Sequence, residues 1–420
     1  MNAFFKRSVV SAFVLLGILF LPSALPIAIF GQDSPGTVIA GGPDTFMEVR
    51  HVVLKGSNFE IGKKIGELAK RDGVRIMPSP DRILNKARRD YMADNYPILF
   101  ERMRGFADAF GQNMSNDAYD FSAVFTPQMT FLPGCSVAFF PAGHTVGGHD
   151  ILSRNYDFTI GDIWTGRRMP KGALAVMSRP ILFEIHPDRG YASLSLCAFE
   201  YLGGVLDGIN SEGLVVSILS EGDAVDKAGY EPSREVGVYE LMSMRYLLDN
   251  CKNVEEAKEA LLSLKHYYCA IPCHYIVGDK TGKSFIYELS PNRNRSYVID
   301  GSGPQWVTNH LVFHHKATAE KNKANPGSSL RRYVRLEESI RAKTIFTLEE
   351  IAAINAEVAV PPVAPRNPEL APSRTLWYAQ YDLDDLTLAV KFYLGEKSDP
   401  ADANRVIFEY SPVKTFALKK

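Results

Sequence analysis

The chain has 420 residues, 46% hydrophobic and 23% charged, with a formal net charge of −1. That balance is globular, with apolar material for one large domain or two average ones. It excludes the basic excess that draws nucleic acid and the charge runs of solvated tails; the aromatics do not alternate with a basic run, so no single-strand stacking surface is indicated.

The N-terminus differs from the rest. Lys6 and Arg7 precede an apolar run from Val9 to Leu21 that continues past Pro22 and Pro26 to Phe30. This predicts a secretory signal peptide over residues 1–31, with Gly31 a small residue at the cleavage point, and export to the periplasm or exterior. The run is also long enough for an uncleaved membrane anchor. Pro22 and Pro26 favour cleavage or a break over a continuous helix.

After the polar linker Gln32–Gly42, Val49–Leu54 predicts a strand leading to Gly56. Ser57-Asn-Phe-Glu60 is a capping box, in which serine and glutamate satisfy each other's free backbone N–H groups. Ile61, Ile65 and Leu68 follow at helical spacing. A second helix is predicted over Asp81–Tyr96. A third follows Pro97, with Leu99, Met103, Phe106 and Phe110 on its apolar face.

From Cys135 the texture changes to strands. Leu-Pro-Gly-Cys-Ser-Val-Ala-Phe-Phe and Ile-Leu-Ser-Arg-Asn-Tyr-Asp-Phe flank the turn Gly147-Gly148-His149-Asp150, a β-hairpin signal. The hairpin brings the thiol of Cys135 towards Arg154 and Asp157. A thiol beside a cation and a carboxylate is a candidate nucleophile; a structural cysteine with an ion pair nearby explains the same residues. Further strands are predicted at Ala173–Met177, Ile181–Ile185, Ser193–Phe199, Leu214–Leu219, Tyr275–Gly278, Phe285–Leu289, Tyr297–Ile299, Leu376–Tyr381, Leu386–Phe392 and Val406–Tyr410. Helices are predicted over Val238–Asp249 and Asn253–Leu264, and from Ser328 or Ser329. Another starts at Thr347, where Glu350 completes a second capping box. The Pro-rich stretch Val360–Pro372 is a surface loop. Strands, helices and strands again predict layered sheets covered by helices, an α+β chain.

The five cysteines are Cys135, Cys197, Cys251, Cys269 and Cys273. An odd count in an exported protein leaves one thiol unpaired within the chain. Cys269 and Cys273, separated by Ala-Ile-Pro, are close enough for a small disulfide. No second cysteine pair at metal spacing accompanies them, and His310, His314 and His315 lack the intervening glutamate of a metalloprotease helix, so no metal or other cofactor is expected. Asn210 stands just before a buried strand and Asn309 just after one. Such asparagines form turns or donate to an oxyanion. Arg331, Arg332 and Arg335 share one helix, as a solvated face would.

These residues resemble the N-terminal-nucleophile hydrolases that act on linear amides: the bile-salt (choloylglycine) hydrolases, penicillin V acylases and isopenicillin-N acyltransferases. Gly134-Cys135-Ser136 with Arg154-Asn155-Tyr156-Asp157 is similar to their nucleophile hairpin. Gly56–Gly66 is similar to the pro-segment helix of the acyltransferase branch. Asn210-Ser-Glu-Gly213-Leu214 resembles a turn of the fold, Thr308-Asn309-His310 an oxyanion-hole segment, and Ser329-Leu-Arg-Arg332-Tyr333 a late active-site arginine segment. Thr375-Leu-Trp-Tyr with Tyr381-Asp382 resembles the closing strand pair.

The resemblance implies a four-layer αββα sandwich. It implies a leader or anchor at 1–31, a helical pro-segment at 32–134 and a catalytic region at 135–420. The precursor would cut itself between Gly134 and Cys135, a step suited to glycine's freedom to take unusual backbone angles, and the pro-segment would stay bound as a second chain. The new α-amine of Cys135, with an ordinary pKa of about 8, would take the thiol proton and later protonate the leaving amine. Asp157 would orient that amine and Arg154 would favour the thiolate. Asn309, with Asn210 or a backbone N–H, would hold the oxyanion, and Arg332 would complete the charged ring. The implied function is a self-processing cysteine amidohydrolase acting on a small N-acyl amide. An acyltransferase passing the acyl group to an amine shares every one of these residues, and a non-catalytic secreted binding protein would keep an uncut chain. An apolar acyl group is expected, in a pocket drawn from Ala198–Tyr201 and Phe139–Phe140; a homo-oligomer is left open.

Overall fold

The computed structural model describes residues 36–122, 134–163, 165–170, 172–221, 235–267, 272–290, 295–315, 328–365 and 367–419. The predicted leader at 1–31 lies outside them. No helix among the described residues is long and apolar enough to cross a membrane.

The described chain begins with strands β1 (Thr37–Gly41) and β2 (Glu48–Gly56) and helices α1 (Asn58–Arg71), α2 (Arg82–Asn95) and α3 (Pro97–Ala109). The expected capping box forms, with Ser57 and Glu60 bonded reciprocally at the start of α1. The helices α1 and α3 cross without space for side chains between them. A Cβ on Gly62 would lie 2.0 Å from the Arg102 carbonyl oxygen, and one on Gly105 1.9 Å from that of Phe59. The segment before Cys135 is thus not purely helical: β1 and β2 join the larger sheet, β2 running parallel to a strand that lies beyond the cysteine.

Next come β3 (Gly134–Phe140), β4 (Ile151–Thr159), β5 (Ile181–Pro187), β6 (Ser193–Cys197), β7 (Val205–Asn210), β8 (Val215–Ser220) and β9 (Val238–Tyr239). Helices α4 (Glu240–Asn250) and α5 (Val254–Ser263) follow, then β10 (His266–Tyr267), β11 (Cys273–Gly278), β12 (Ser284–Ser290), β13 (Arg295–Asp300) and β14 (Gln305–Val307). The rest is α6 (Val312–His315), α7 (Ser328–Arg341), α8 (Leu348–Glu357), β15 (Ser373–Asp382), β16 (Thr387–Asp399), β17 (Asp402–Tyr410) and β18 (Lys414–Ala417). Nine strands form one sheet in the order β1-β2-β5-β6-β7-β8-β11-β12-β13. A second sheet runs β14-β3-β4-β15-β16-β17, with β18 also on β16.

The expected strand at Ala173–Met177 is absent. Gly172 at φ 83° opens the stretch, Ser178 N–H bonds back to Ala175, and a 3-10 turn covers Val176–Ser178, so the run closes on itself instead of pairing. The expected Cys269–Cys273 disulfide involves Cys269, which lies outside the described residues; among the described residues Cys135, Cys197 and Cys251 form no bridge.

Strand β3 is buried on both faces, and its two sets of side chains enter two cores. Cys135, Val137 and Phe139 belong to the large core shared with β7, β8 and β11; Ala138 and Phe140 belong to a second core with Leu336 and Ile340 of α7 and Ile351 and Ile354 of α8. This is the period-two alternation of a strand covered on both sides. Helices α1 and α4 contact the nine-stranded sheet, α7 and α8 the other, and β3 touches β8 across the sheets.

A buried ion pair ties the first helices to the rest. Arg102 on α3 donates to both oxygens of Asp249 on α4, at 2.8 and 3.1 Å, and both side chains are fully buried. Tyr96 donates to the same carboxylate at 2.6 Å, and Arg245 pairs with it at 2.9 Å.

Candidate active site

The hairpin β3–β4 sets the site's register: Gly134 lies opposite Asp157, Cys135 opposite Tyr156 and Val137 opposite Arg154. The expected approach of cation to thiol is present, with Arg154 Nη2 3.5 Å from Cys135 Sγ. Arg154 is fully buried. Its Nη2 also donates to the Ile218 carbonyl at 2.8 Å, and its Nη1 to the Leu206 carbonyl and the Asp207 carboxylate, both at 2.5 Å. Asp207 accepts in addition from Trp377 Nε1 at 3.4 Å and from the Tyr381 hydroxyl.

Pairing with Asp207 tempers what Arg154 does for the thiol. Burial pushes the Cys135 thiol up and the Arg154 guanidinium draws it back; burial wins, and the thiol is the stable form in the uncut chain. Arg154 alone does not ionise this thiol, so its attack needs a base, the part expected of the α-amine. For Asp207, burial raises the carboxyl and Arg154 opposes it.

On the other face of the hairpin, Asp157 is 3% exposed and accepts from Thr375 Oγ1 at 2.6 Å. Burial raises its carboxyl from 3.8 to about 6, against Arg332, Thr375 and Arg154. A bulge between Thr375 and Trp377 makes this possible: Thr375 stands opposite Asp157 while Trp377 stands opposite Tyr156, so residues two apart on β15 serve opposite faces of the sheet. Gly134 is not among the glycines with positive φ. Its need for glycine is spatial instead, because a Cβ there would lie 3.1 Å from Asp157 Cβ and 3.3 Å from its Oδ2.

Asn309 leaves β14, which pairs with β3. Its Oδ1 accepts from the Cys135 backbone N–H at 2.7 Å and from Arg332 Nη2 at 2.8 Å. Both its amide hydrogens go to Ser220, the carbonyl at 2.8 Å and the hydroxyl at 3.1 Å. The Ser329 hydroxyl, which also lies 2.9 Å from His310 Nδ1, accepts the Asn309 backbone N–H at 2.7 Å. So Asn309 grips the nitrogen of Cys135, and its own donors are spent in the uncut chain.

Arg332 meets three neutral acceptors: the Cys135 carbonyl, Ser136 Oγ at 2.8 Å and Asn309 Oδ1. Arg331 and Arg335 are exposed, and Arg335 pairs with Glu357 at 3.0 Å. A cavity of about 690 Å³ opens here, lined by Gly134, Asp157, Asn309 and Arg332 on one side and by Val358–Pro361 on another.

Asn210 does not join the group. Its Nδ2 donates to the Leu248 and Cys251 carbonyls and its Oδ1 accepts from the Glu212 and Leu214 N–H groups, so it is a turn former with every bond used. Phe139 and Phe140 are core residues; Phe139 fills the space beside Gly278 and Phe140 stacks edge-on with Phe346.

Asp207, Ser220 and Thr375 were missed by sequence reasoning. Only Asp207 carried a signal, a carboxylate inside the apolar run Val-Leu-Asp-Gly-Ile. As for metals, His149, Asp382 and Asp384 bring ligand atoms within 4.8 Å of one another at the far end of β4, where His149 Nδ1 already bonds Asp382 at 2.8 Å.

No curated protein sequence matches the chain. A mutant conjugated bile acid hydrolase from Clostridium perfringens is similar in structure, with 17% identity over 67% of this chain and 96% of that one and a TM-score of 0.44. Penicillin V acylase from Agrobacterium tumefaciens is similar at 16% identity over 61% of this chain and 83% of that one, with a TM-score of 0.42. The family model for acyl-coenzyme A:6-aminopenicillanic acid acyl-transferase matches residues 145–399, a span that starts in the β3–β4 loop and includes Arg154, Asp157, Asn309 and Arg332. The chain belongs to that acyl-transferase family.

Proposed function

We propose that this protein is a self-processing cysteine amidohydrolase of the N-terminal-nucleophile kind, with its sheets and helices layered αββα, exported from the cell. The observation that carries the reading is the treatment of one residue. The thiol of Cys135 is within 3.5 Å of Arg154, while its backbone nitrogen is held at 2.7 Å by Asn309. A structural cysteine needs neither grip.

Cutting at Gly134–Cys135 turns that nitrogen into an α-amine beside Asn309 Oδ1, one residue from where the Asp157 side chain packs against Gly134. The amine, with an ordinary pKa of about 8, is the base the buried thiol lacks. It takes the thiol proton, the sulfur attacks the amide carbonyl, and the amine returns the proton to the departing nitrogen, leaving an acyl thioester. Asp157 favours the ammonium form, and Arg154, moored by Asp207, favours the thiolate. Arg332 holds the Cys135 carbonyl and keeps the residue aligned. The acyl group is apolar in this reading. Phe199, held at φ 70°, sets its ring edge-on to Phe158 at 5.8 Å, on the strand face that carries Tyr156. Water as acceptor gives hydrolysis; the family's acyl-transferase description supports a second reading, an amine acceptor.

Intact mass and N-terminal sequencing of the purified protein test this. A chain beginning at Cys135 is expected, and Cys135→Ala is expected to remain uncut. An uncut wild-type chain, inert to thiol reagents at Cys135, refutes the reading.

A further inference from the structure

The proposed reaction puts negative charge on the acyl oxygen when sulfur attacks, and that charge needs a donor. The residue expected to supply it, Asn309, has both amide hydrogens on Ser220. Asn210 has none to spare. Another donor is carried on the thiol's face of the sheet.

Tyr156 lies directly opposite Cys135 on the neighbouring strand. Residues so paired carry their side chains on the same face of a sheet, a few ångströms apart. Tyr156 is 1% exposed, and among the described residues its hydroxyl has no hydrogen-bond partner. Its ring is fixed firmly: it stacks on Trp377 at 4.1 Å with planes 7° apart, and the Arg154 guanidinium lies 4.9 Å from its centroid. The bulge in β15 places Trp377 there. Burial holds the phenol well above its usual pKa, so it keeps its proton.

A buried hydroxyl without a partner is costly, and a phenylalanine would fill the same space without that cost. The ring's packing therefore accounts for an aromatic residue here, but not for its oxygen. A rigid, neutral, unspent donor on the thiol's face is what an attacked carbonyl requires.

We infer that Tyr156 is a further catalytic residue, its hydroxyl donating to the acyl oxygen as Cys135 attacks. The inference rests on the cysteine-amidase reading above. In the step, the Sγ–C bond forms and the carbonyl π pair moves onto oxygen. The phenol O–H hydrogen-bonds that oxygen without giving up its proton. Collapse reforms C=O, breaks the C–N bond and releases the amine with the proton drawn from the thiol.

The test is Tyr156→Phe, which keeps ring, stack and cation–π contact. With an N-acyl amide that the wild type turns over, kcat is expected to fall on the order of 100-fold with KM nearly unchanged, as for loss of one oxyanion donor. The thermal midpoint should stay level or rise, because an unpartnered hydroxyl has gone. An aldehyde carrying the same acyl group, which forms a tetrahedral adduct with the thiol, should lose affinity by a similar factor. If Tyr156→Phe stays folded but cuts slowly or not at all, that counts for the inference, since the Gly134 carbonyl passes through the same kind of oxyanion. Wild-type turnover by Tyr156→Phe overturns the inference and leaves the amidase reading standing. A wild type with neither cutting nor thioester formation overturns both.

Discussion

Asp157 offers a thermodynamic handle on the uncut state. In the Cys135→Ala chain no cut is possible, and Asp157 is left buried without an ammonium beside it. Its carboxyl then titrates at about 6 instead of 3.8 because burial opposes its charge. Between those values the folded carboxyl keeps a proton that the unfolded one has lost. Its stabilising contribution is thus complete below about 3.8 and gone above about 6. At about 1.4 kcal/mol for each tenfold change in the proton equilibrium, the loss is about 2–3 kcal/mol between pH 4 and pH 7.5. Asp157→Asn cannot titrate and removes this dependence. Denaturant unfolding of Cys135→Ala and Cys135→Ala/Asp157→Asn at both pH values is the assay. The single variant is expected to lose about 2–3 kcal/mol more than the double one on going to pH 7.5. Parallel pH profiles would refute the claim that Asp157 is held near pH 6 by burial.

Two further predictions concern its neighbours. Asp207→Ala strands the Arg154 guanidinium in the core and is expected to destabilise the chain by about 3–5 kcal/mol, read from the shift in denaturant midpoint; a change within error would show that the pair is not buried as described. Gly134→Ala pushes a Cβ to 3.1 Å from Asp157 Cβ. The resulting shift of a few tenths of an ångström at the junction is expected to slow self-cutting about tenfold, followed by intact mass against time. Cutting at the wild-type rate would remove the spatial account of this glycine.

The parts of the site that were legible are those that lie close in sequence or carry turn chemistry. Two apolar runs about a Gly-Gly-His-Asp turn announced the hairpin, and with it the approach of Arg154 and Asp157 to Gly134-Cys135. The two capping boxes at Ser57 and Thr347 formed as read. What stayed hidden depends on contacts between distant strands. Asp207 meets Arg154 because β7 of the nine-stranded sheet lies against β4 of the other sheet, and nothing local to either residue fixes that. The placement of Thr375 and Trp377 on opposite faces needs a bulge that strand alternation does not foretell. Asn210 and Asn309 looked equivalent in sequence; one spends all its bonds in its own turn and the other reaches Cys135 and Arg332. The thiol's protonation is set by burial, which the presence of a nearby arginine does not reveal.

The strands and helices ahead of Cys135 have a consequence for the molecule after cutting. β2 is paired with β5 over Arg50–Gly56, and Arg102 is buried against Asp249. If the Gly134–Cys135 bond is cut as proposed, the same contacts would join two chains instead of two parts of one. With the folded structure kept in place, the loss of that single bond would change the order of the folding reaction. Unfolding of the cut protein releases two molecules, so its apparent stability rises with concentration, and reassembly competes with dilution. A protein that matures in this way folds once, while still continuous, and thereafter persists by the slowness of its unfolding.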